Sequence, residues 1–195
     1  MKVLIAVPCF DQMYTDFGMS LLHLTLAASK TPDLHVSVAD LRGTDIVGAR
    51  NTAAKVALDM ESQYLFFLDS DLSFPSNTLH RLLGHGKPVV GASYIRRSHP
   101  FDLLGHVGQG DGLVPATELP TGCLLINTMM LKKVGYPYFK FEYNTDGSRE
   151  GEDQFFSRRV LEVGGKLWCD KELTKEIGHI GIKKYTVADS NTPAL

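Results

Sequence analysis

Two aspartates, Asp69 and Asp71, directly follow the apolar run Tyr64–Leu68. Residues i and i+2 of an extended chain point to the same side, so the two carboxylates can converge on one site. Such a pair repels itself unless a cation lies with it, and Mg²⁺ or Mn²⁺ accepts carboxylate ligands. The apolar run predicts a buried strand, and ligands of open α/β sheets bind beyond the carboxyl ends of strands. The pattern therefore predicts a divalent-cation site that could hold the diphosphate of a nucleotide.

Two other interpretations of this acidic triplet stay open at the level of sequence. Asp69 and Asp71 can simply cap the next helix or its approach turn. The string Leu68–Ser73 also resembles the motif of haloacid-dehalogenase phosphatases, in which the first aspartate is the nucleophile. That family carries its motif on the first strand, whereas two β-α units precede the triplet here. A phosphatase is therefore the weaker interpretation.

Apolar runs that alternate with helical periodicity surround the triplet and predict the elements that position it. The predicted strands are Val3–Val7, His35–Ala39, Tyr64–Leu68, Val89–Ser93, Gly122–Thr128 and Leu167–Cys169. The predicted helices are Phe17–Ser29, Gly48–Met60, one that begins at Pro75, and Glu152–Val163. Their order predicts an α/β domain with a parallel-type sheet and helices on both faces. Residues 98–121 are rich in Gly, Pro and His, and we expect a long surface loop there.

Composition is that of an ordinary globular domain. The chain has 195 residues, of which 44% are hydrophobic and 22% charged, which suits one domain. The formal net charge of −2 provides no global field for nucleic acid, so we do not expect a nucleic-acid partner. Cys9, Cys123 and Cys169 lack metal-ligand spacing and predict free thiols of a reducing compartment. With no run of about 20 apolar residues, no transmembrane segment is predicted and a cytoplasmic location is expected.

Several motifs in order resemble those of GT-A fold nucleotide-diphospho-sugar glycosyltransferases, near family 2. The resemblance extends from Val3 to about His179. Its motifs are Val7-Pro8-Cys9-Phe10, the "ARN" segment Gly48–Ala54, the DxD triplet Asp69-Ser70-Asp71, the strand Thr121–Ile126 and the "ED" helix start Gly151–Phe156. The resemblance implies a three-layer α/β/α catalytic domain over residues 1–182 with a mostly parallel central sheet. Residues 183–195 would then be a C-terminal tail.

The resemblance also implies which residues bind the donor. Asp40 sits where the family often binds a uracil-like base. A cation near a helix start opposes the helix dipole, which favours a phosphate-facing role for Arg50. The full set of expected nucleotide-sugar ligands is Pro8, Phe10, Asp40, Arg50, Asp69, Ser70 and Gly122.

Metal binding and catalysis are assigned on the same basis. The expected metal ligands are Asp69, Asp71 and His179, with Asp71 the firmer of the two aspartates. An imidazole ligand favours Mn²⁺, with Mg²⁺ as the alternative. Glu152 and Asp153 suit a helix start electrostatically, which is a sufficient structural explanation. The functional interpretation makes Asp153 the general base and turns Glu152 toward the acceptor or sugar.

The implied activity is transfer of a sugar from a nucleotide-diphospho-sugar to an acceptor hydroxyl on a glycan or another molecule. UDP is the favoured nucleotide, GDP remains possible, and retention or inversion stays open. A sugar-nucleotide-binding module without transfer activity and a phosphohydrolase that uses Asp69 are the alternatives. A nucleotidyltransferase would need a Gly-rich basic loop after the first strand, which Pro8–Gln12 does not provide. The short chain is consistent with a homo-oligomer or with a part of a larger protein.

Overall fold

A computed structural model describes residues 1–43, 45–181 and 184–187. The helices are α1 (Thr15–Ala28), α2 (Ile46–Asp59), α3 (Thr78–Gly84), α4 (Thr128–Val134), α5 (Glu152–Glu162) and α6 (Lys171–Glu176). The strands are β1 (Lys2–Pro8), β2 (His35–Leu41), β3 (Tyr64–Leu68), β4 (Leu72–Ser73), β5 (Val89–Gly91), β6 (His106–Val107), β7 (Leu113–Glu118), β8 (Cys123–Asn127), β9 (Glu142–Tyr143), β10 (Arg149–Glu150), β11 (Leu167–Asp170), β12 (Gly178–Ile180) and β13 (Lys184–Tyr185).

The main sheet has the strand order β2-β1-β3-β8-β5-β11-β7-β6. Strand β1 is parallel to β2 and β3, and β5 is parallel to β11. Strands β8 and β7 run against their neighbours, so the sheet is mixed although most strands share one direction. The α/β class with a mostly parallel sheet direction is therefore confirmed.

Helices cover both faces of this sheet, which gives the expected three layers. Successive side chains of a strand point to opposite faces. On β1, Leu4 and Ala6 accordingly join one apolar core, whereas Val3, Ile5 and Val7 join the other. The first core is closed by α2, α4 and α5, and the second by α1, α3 and α6. Both faces of β1 and β3 are thus dry, which explains their continuous apolar sequence.

The prediction of one long loop over residues 98–121 is wrong, because β7 crosses this segment and belongs to the main sheet. It pairs antiparallel with β11, and its Val114 and Ala116 face the core. Pro115 hides the strand from sequence analysis, since a proline cannot donate a ladder hydrogen bond. Its carbonyl oxygen still accepts a hydrogen bond from the Gly108 amide at 2.8 Å.

A small second sheet, β13-β12-β4, lies beside the acidic triplet. The Ile180 amide donates to the Asp71 carbonyl oxygen at 2.7 Å, and His179 lies opposite Leu72 in the β4–β12 register. Strand β13 falls within the segment expected to be a tail; residues 182–183 and 188–195 lie outside the described residues. Across the described part of the chain, none of the helices combines the length and apolar character that a membrane crossing requires.

Candidate active site

The acidic triplet lies at the carboxyl end of β3, where β1 and β5 also end. Strand β3 pairs with β8 up to Leu68 opposite Cys123, and the Asp69 amide then donates to the Gly122 carbonyl oxygen at 2.9 Å. Leu65–Leu68 are fully buried, so the chain leaves the core only at Asp69. This edge is where open α/β sheets bind their ligands.

His179 is oriented toward Asp71 by a backbone carbonyl. The Nδ1 atom of His179 lies 2.7 Å from the Ile95 carbonyl oxygen, which can only accept, so Nδ1 carries the hydrogen. The other nitrogen, Nε2, lies 3.4 Å from Asp71 Oδ2, where it donates to the carboxylate when the ring is protonated and offers a lone pair to a metal ion when the ring is neutral. The Tyr94 ring packs edge-to-face on the imidazole with centroids 4.9 Å apart. His179 is buried. Histidines that bind metal ions usually donate their other ring N–H to a backbone carbonyl or a carboxylate in this way.

The Asp71–His179 spacing fits two ligands of one divalent ion. At bond lengths of about 2.1 Å and ligand–metal–ligand angles of about 90–110°, ligand atoms are about 3.0–3.4 Å apart. Burial raises the pKa of Asp71, but His179 and then Arg97 hold that pKa below its ordinary value. Within the described residues no cluster of three or more His, Cys, Asp or Glu side chains forms a complete metal site. The ion would thus need further ligands from a diphosphate or water.

The Asp69 carboxylate is held by Arg50 instead. Nη1 and Nη2 of Arg50 lie 3.1 and 3.2 Å from Oδ1 and Oδ2 of Asp69, and Nε lies 3.4 Å from Oε1 of Glu152. Burial lowers the pKa of Arg50, but Asp69 and Glu152 raise it above its ordinary value, so the guanidinium stays charged. Arg50 thus contacts both oxygens of Asp69, whereas the Asp71–His179 spacing directly fits two ligands of one ion.

Arg50 was expected to face the nucleotide, but it is only 3% exposed and its guanidinium points to protein carboxylates. The cation near the start of α2 does have anionic partners, but they are protein carboxylates rather than phosphates. Its neighbour Asn51 is also structural: its Oδ1 accepts from the amides of Tyr138 and Phe139 at 3.0 and 3.1 Å. Arg50 and Asn51 of the "ARN" segment therefore hold neighbouring parts of the protein in place.

Gly122, directly before β8, allows two side chains to approach its backbone. A Cβ atom at this position would lie 2.3 Å from the Tyr94 hydroxyl and 2.7 Å from Asp69 Oδ2. The Gly122 amide donates to the Tyr94 hydroxyl at 3.2 Å. The glycine predicted to bind sugar is thus required here by the packing of Asp69 and Tyr94.

We expect Gly122→Ala to lower the free energy of unfolding by about 1–3 kcal/mol, because the new methyl group displaces Asp69 and Tyr94. Gly18→Ala is the matched control, since Gly18 lies within α1 and its added Cβ meets nothing within 4 Å. That control is expected to stabilise the protein by up to about 1 kcal/mol. Urea unfolding measures both variants. Equal stability of Gly122→Ala and the wild type would contradict the packing argument.

Asp153 is a partly buried carboxylate at the start of α5. It is the second residue of α5, and its Oδ1 accepts a hydrogen bond from the Gln154 amide at 2.9 Å. Burial, and then the neighbouring charge of Glu152, raise its pKa to about 6, although the Gln154 amide and Arg50 partly oppose the shift. A carboxylate that titrates near neutral pH is suited to general-base catalysis.

Tyr94 connects these carboxylates and was missed by sequence analysis. Burial and then Asp69 raise its phenol pKa well above the ordinary value, and Asp71 and Asp153 add to the shift. The aspartates that follow β3 and Asp153 of α5 therefore all raise the pKa of one hydroxyl group. The available signal was a tyrosine that directly follows the predicted strand Val89–Ser93.

A cavity of about 430 Å³ opens beside the carboxyl end of β1. Its lining includes Pro8 and Phe10, as expected for a nucleotide site, and the Phe10 residue is 79% exposed. Asp40 is not among the described residues that line it; its carboxylate forms an ion pair with Arg42. Ser70 contributes its carbonyl oxygen to the Tyr14 amide at 3.3 Å. The cavity thus offers an aromatic surface but not the expected aspartate.

Comparison with known proteins identifies the fold. No protein-family model and no curated protein sequence matches the chain. Crystal structures do match it: A197 from STIV has a TM-score of 0.65 at 16% identity and covers 100% of this chain and 97% of its own. GalNAc-T7, crystallised with UDP, GalNAc and Mn²⁺, has a TM-score of 0.62 at 12% identity.

GalNAc-T7 aligns with 98% of this chain, which spans only 45% of the GalNAc-T7 chain. The catalytic domain of Drosophila beta1,4-galactosyltransferase 7, crystallised with xylobiose, has a TM-score of 0.58 at 16% identity. That alignment covers 100% of this chain and 76% of the transferase chain. At these identities the likeness establishes the fold, and the chain has the GT-A fold of these glycosyltransferases.

Proposed function

We propose that this chain is a metal-dependent glycosyltransferase that moves a sugar from a nucleotide-diphospho-sugar to an acceptor hydroxyl. The observation that carries the proposal is the Asp71–His179 pair, with Nε2 and Oδ2 3.4 Å apart at the carboxyl end of β3. Support comes from the GT-A fold and from the neighbouring Asp153 carboxylate with its raised pKa.

Asp71 and His179 would hold the metal ion. When bound, Mn²⁺ or Mg²⁺ would offset the negative charge that develops on the departing diphosphate. The imidazole ligand favours Mn²⁺. This part of the described chain has two more carboxylates than guanidiniums: Asp69, Asp71, Glu152 and Asp153 against Arg50 and Arg97. An anionic substrate therefore needs a cation here.

The chain's own residues supply the acid–base step and the positioning. Asp153 would accept the proton of the acceptor hydroxyl, because a pKa of about 6 leaves it ionised yet basic at neutral pH. Arg50 keeps Asp69 and Glu152 in place beside it. The Phe10 ring would cover the nucleobase in the cavity at the end of β1, and UDP is the favoured nucleotide.

The alternatives are weaker on specific observations. A phosphohydrolase would use an Asp69 oxygen as nucleophile, whereas the Arg50 guanidinium contacts both oxygens at 3.1 and 3.2 Å and makes them poorer nucleophiles. A binding module without transfer activity would not need a partly buried carboxylate at Asp153 with a pKa of about 6. Glycosyl transfer uses both features of the site.

The decisive experiment is a thermal-shift panel of UDP, GDP, ADP and CDP, each with and without MnCl₂. We expect one diphosphate to stabilise the wild type only with Mn²⁺, by about 2.7 kcal/mol at a concentration of 100 Kd. Asp71→Asn should lose this gain because the ion loses a charged ligand. Asp59→Asn, at the exposed end of α2, should keep it. A gain that survives Asp71→Asn, or no response to any of the four, would refute the proposal.

A further inference from the structure

A second arginine, Arg97, contacts the carboxylate that the proposed metal ion requires. Its Nη1 atom lies 3.0 Å from Asp71 Oδ2 and donates to the Ile180 carbonyl oxygen at 2.7 Å. This Oδ2 atom is also the oxygen that faces His179 Nε2 at 3.4 Å. A guanidinium and an imidazole therefore converge on one carboxylate oxygen.

A divalent ion held by Asp71 and His179 would meet Arg97 at that oxygen. The ion and the guanidinium are both cations, and both need the lone pairs of Oδ2, so binding of one weakens binding of the other. The ion must therefore displace Arg97 or pull electron density away from its hydrogen bond.

Arg97 can leave this position, unlike Arg50. The Arg50 side chain is 4% exposed and bonds two carboxylates, whereas the Arg97 side chain is 40% exposed and bonds one carboxylate oxygen and one carbonyl. A long side chain with access to water can take a second position at low cost. The planar guanidinium is also well suited to phosphate oxygens.

We infer that Arg97 is an exchangeable counter-ion of Asp71. Without metal it neutralises Asp71, and when a metal–diphosphate complex binds, its guanidinium moves to a diphosphate oxygen. This inference rests on the proposed function of the same site. The diphosphate carries more negative charge than one divalent ion neutralises, so it offers Arg97 a new partner.

The exchange couples the two ligands. A metal ion alone removes Arg97 from Asp71 without compensation, whereas an ion with a diphosphate provides the replacement partner. Metal and diphosphate therefore raise each other's affinity, and the effect is reciprocal. Arg97 is in this sense a positioning residue that keeps the ion weakly bound until the diphosphate arrives.

The test compares Arg97→Gln with Arg96→Gln, which removes the neighbouring exposed charge. Calorimetry measures the Kd of Mn²⁺ alone, and then the Kd of UDP and of inorganic pyrophosphate at saturating Mn²⁺. In Arg97→Gln we expect Mn²⁺ alone to bind at least about fivefold more tightly and both diphosphates at least about fivefold more weakly, a modest coupling by usual standards. Arg96→Gln should change neither by more than about twofold, and Arg97→Lys should lie between Arg97→Gln and wild type.

Loss of a merely structural arginine would not change the affinities for the ion and for the diphosphate in opposite directions. The inference would be overturned if Arg97→Gln shifted both affinities in the same direction, or shifted neither while the wild type binds Mn²⁺ and UDP. Either result would leave the proposed function intact. A wild type that binds neither Mn²⁺–UDP nor Mn²⁺–pyrophosphate would overturn both. Melting temperatures of the variants establish that each is folded at the temperature of the titrations.

Discussion

Replacing Asp153 with asparagine is expected to lower the rate of sugar transfer by about 10²–10⁴-fold, the usual contribution of a general base. The same change should stabilise the protein at neutral pH. The amide is nearly the same size as the carboxylate but carries no charge. It therefore avoids the cost of burying a charge and the repulsion from Glu152, which together raise the pKa of Asp153 to about 6. Loss of activity with a gain in stability identifies a group kept for chemistry.

The sign and range of the stability effect follow from the pKa. The folded-state pKa of Asp153 is about 6 and its ordinary value is 3.8. Between these values the folded protein binds more protons than the unfolded chain, so stability falls as pH rises. The loss of folding stability caused by ionised Asp153 is fully present above about pH 6. It amounts to roughly 2–3 kcal/mol, because one pKa unit corresponds to about 1.36 kcal/mol. The stability advantage of Asp153→Asn should therefore vanish below about pH 4.

Asp16→Asn is the matched control, because Asp16 is also the second residue of a helix but is exposed. It should lose about 0.3–1 kcal/mol of favourable helix-dipole interaction and retain activity. Urea unfolding at pH 4, 6 and 8, together with single-turnover assays, measures both variants. Retained turnover in Asp153→Asn would remove it as the base; a pH-independent stability difference would remove the burial argument.

The sequence predicts the parts of the fold that depend on local patterns. The apolar run before Asp69 fixes a buried strand, and the β4–β12 pairing then brings His179 to Asp71 as the family resemblance implies. Strand β7 was missed because Pro115 interrupts its pattern, and its partner β11 lies about fifty residues later. Non-local pairing of this kind has no signature in a single short segment.

The roles of individual charges were harder to predict than their positions. The helix dipole argument indicated that Arg50 needs an anion, but it cannot distinguish a phosphate from Asp69 or from Glu152, which is 102 residues away. Arg97 belongs to none of the sequence motifs, because its contact with Asp71 depends on the course of the loop after β5. Such assignments require knowledge of which charges share a desolvated space.

Arg50→Met is expected to lower the free energy of unfolding by roughly 2–4 kcal/mol, because it leaves Asp69 and Glu152 without their shared cation. Their carboxylates keep some access to water, with side-chain exposures of 22% and 15%, which places the cost in the lower part of the range for buried pairs. Arg42→Met is the control, since its ion pair with Asp40 is exposed and should contribute about 0–1 kcal/mol. Equal costs in urea unfolding would contradict the buried network.

The triple variant Arg50→Met, Asp69→Asn, Glu152→Gln separates the supporting charges from the metal ligands. Removing the stranded carboxylates should recover most of the stability that Arg50→Met loses, since no buried charge is then unpaired. Asp71 and His179 are untouched, so Mn²⁺-dependent UDP binding should persist within about tenfold of the wild type, equal to about 1.4 kcal/mol. Complete loss of that binding in a folded triple variant would show that Asp69 contacts the ion directly. Persistence would assign the first aspartate of the DxD triplet to Arg50 and the second to the metal.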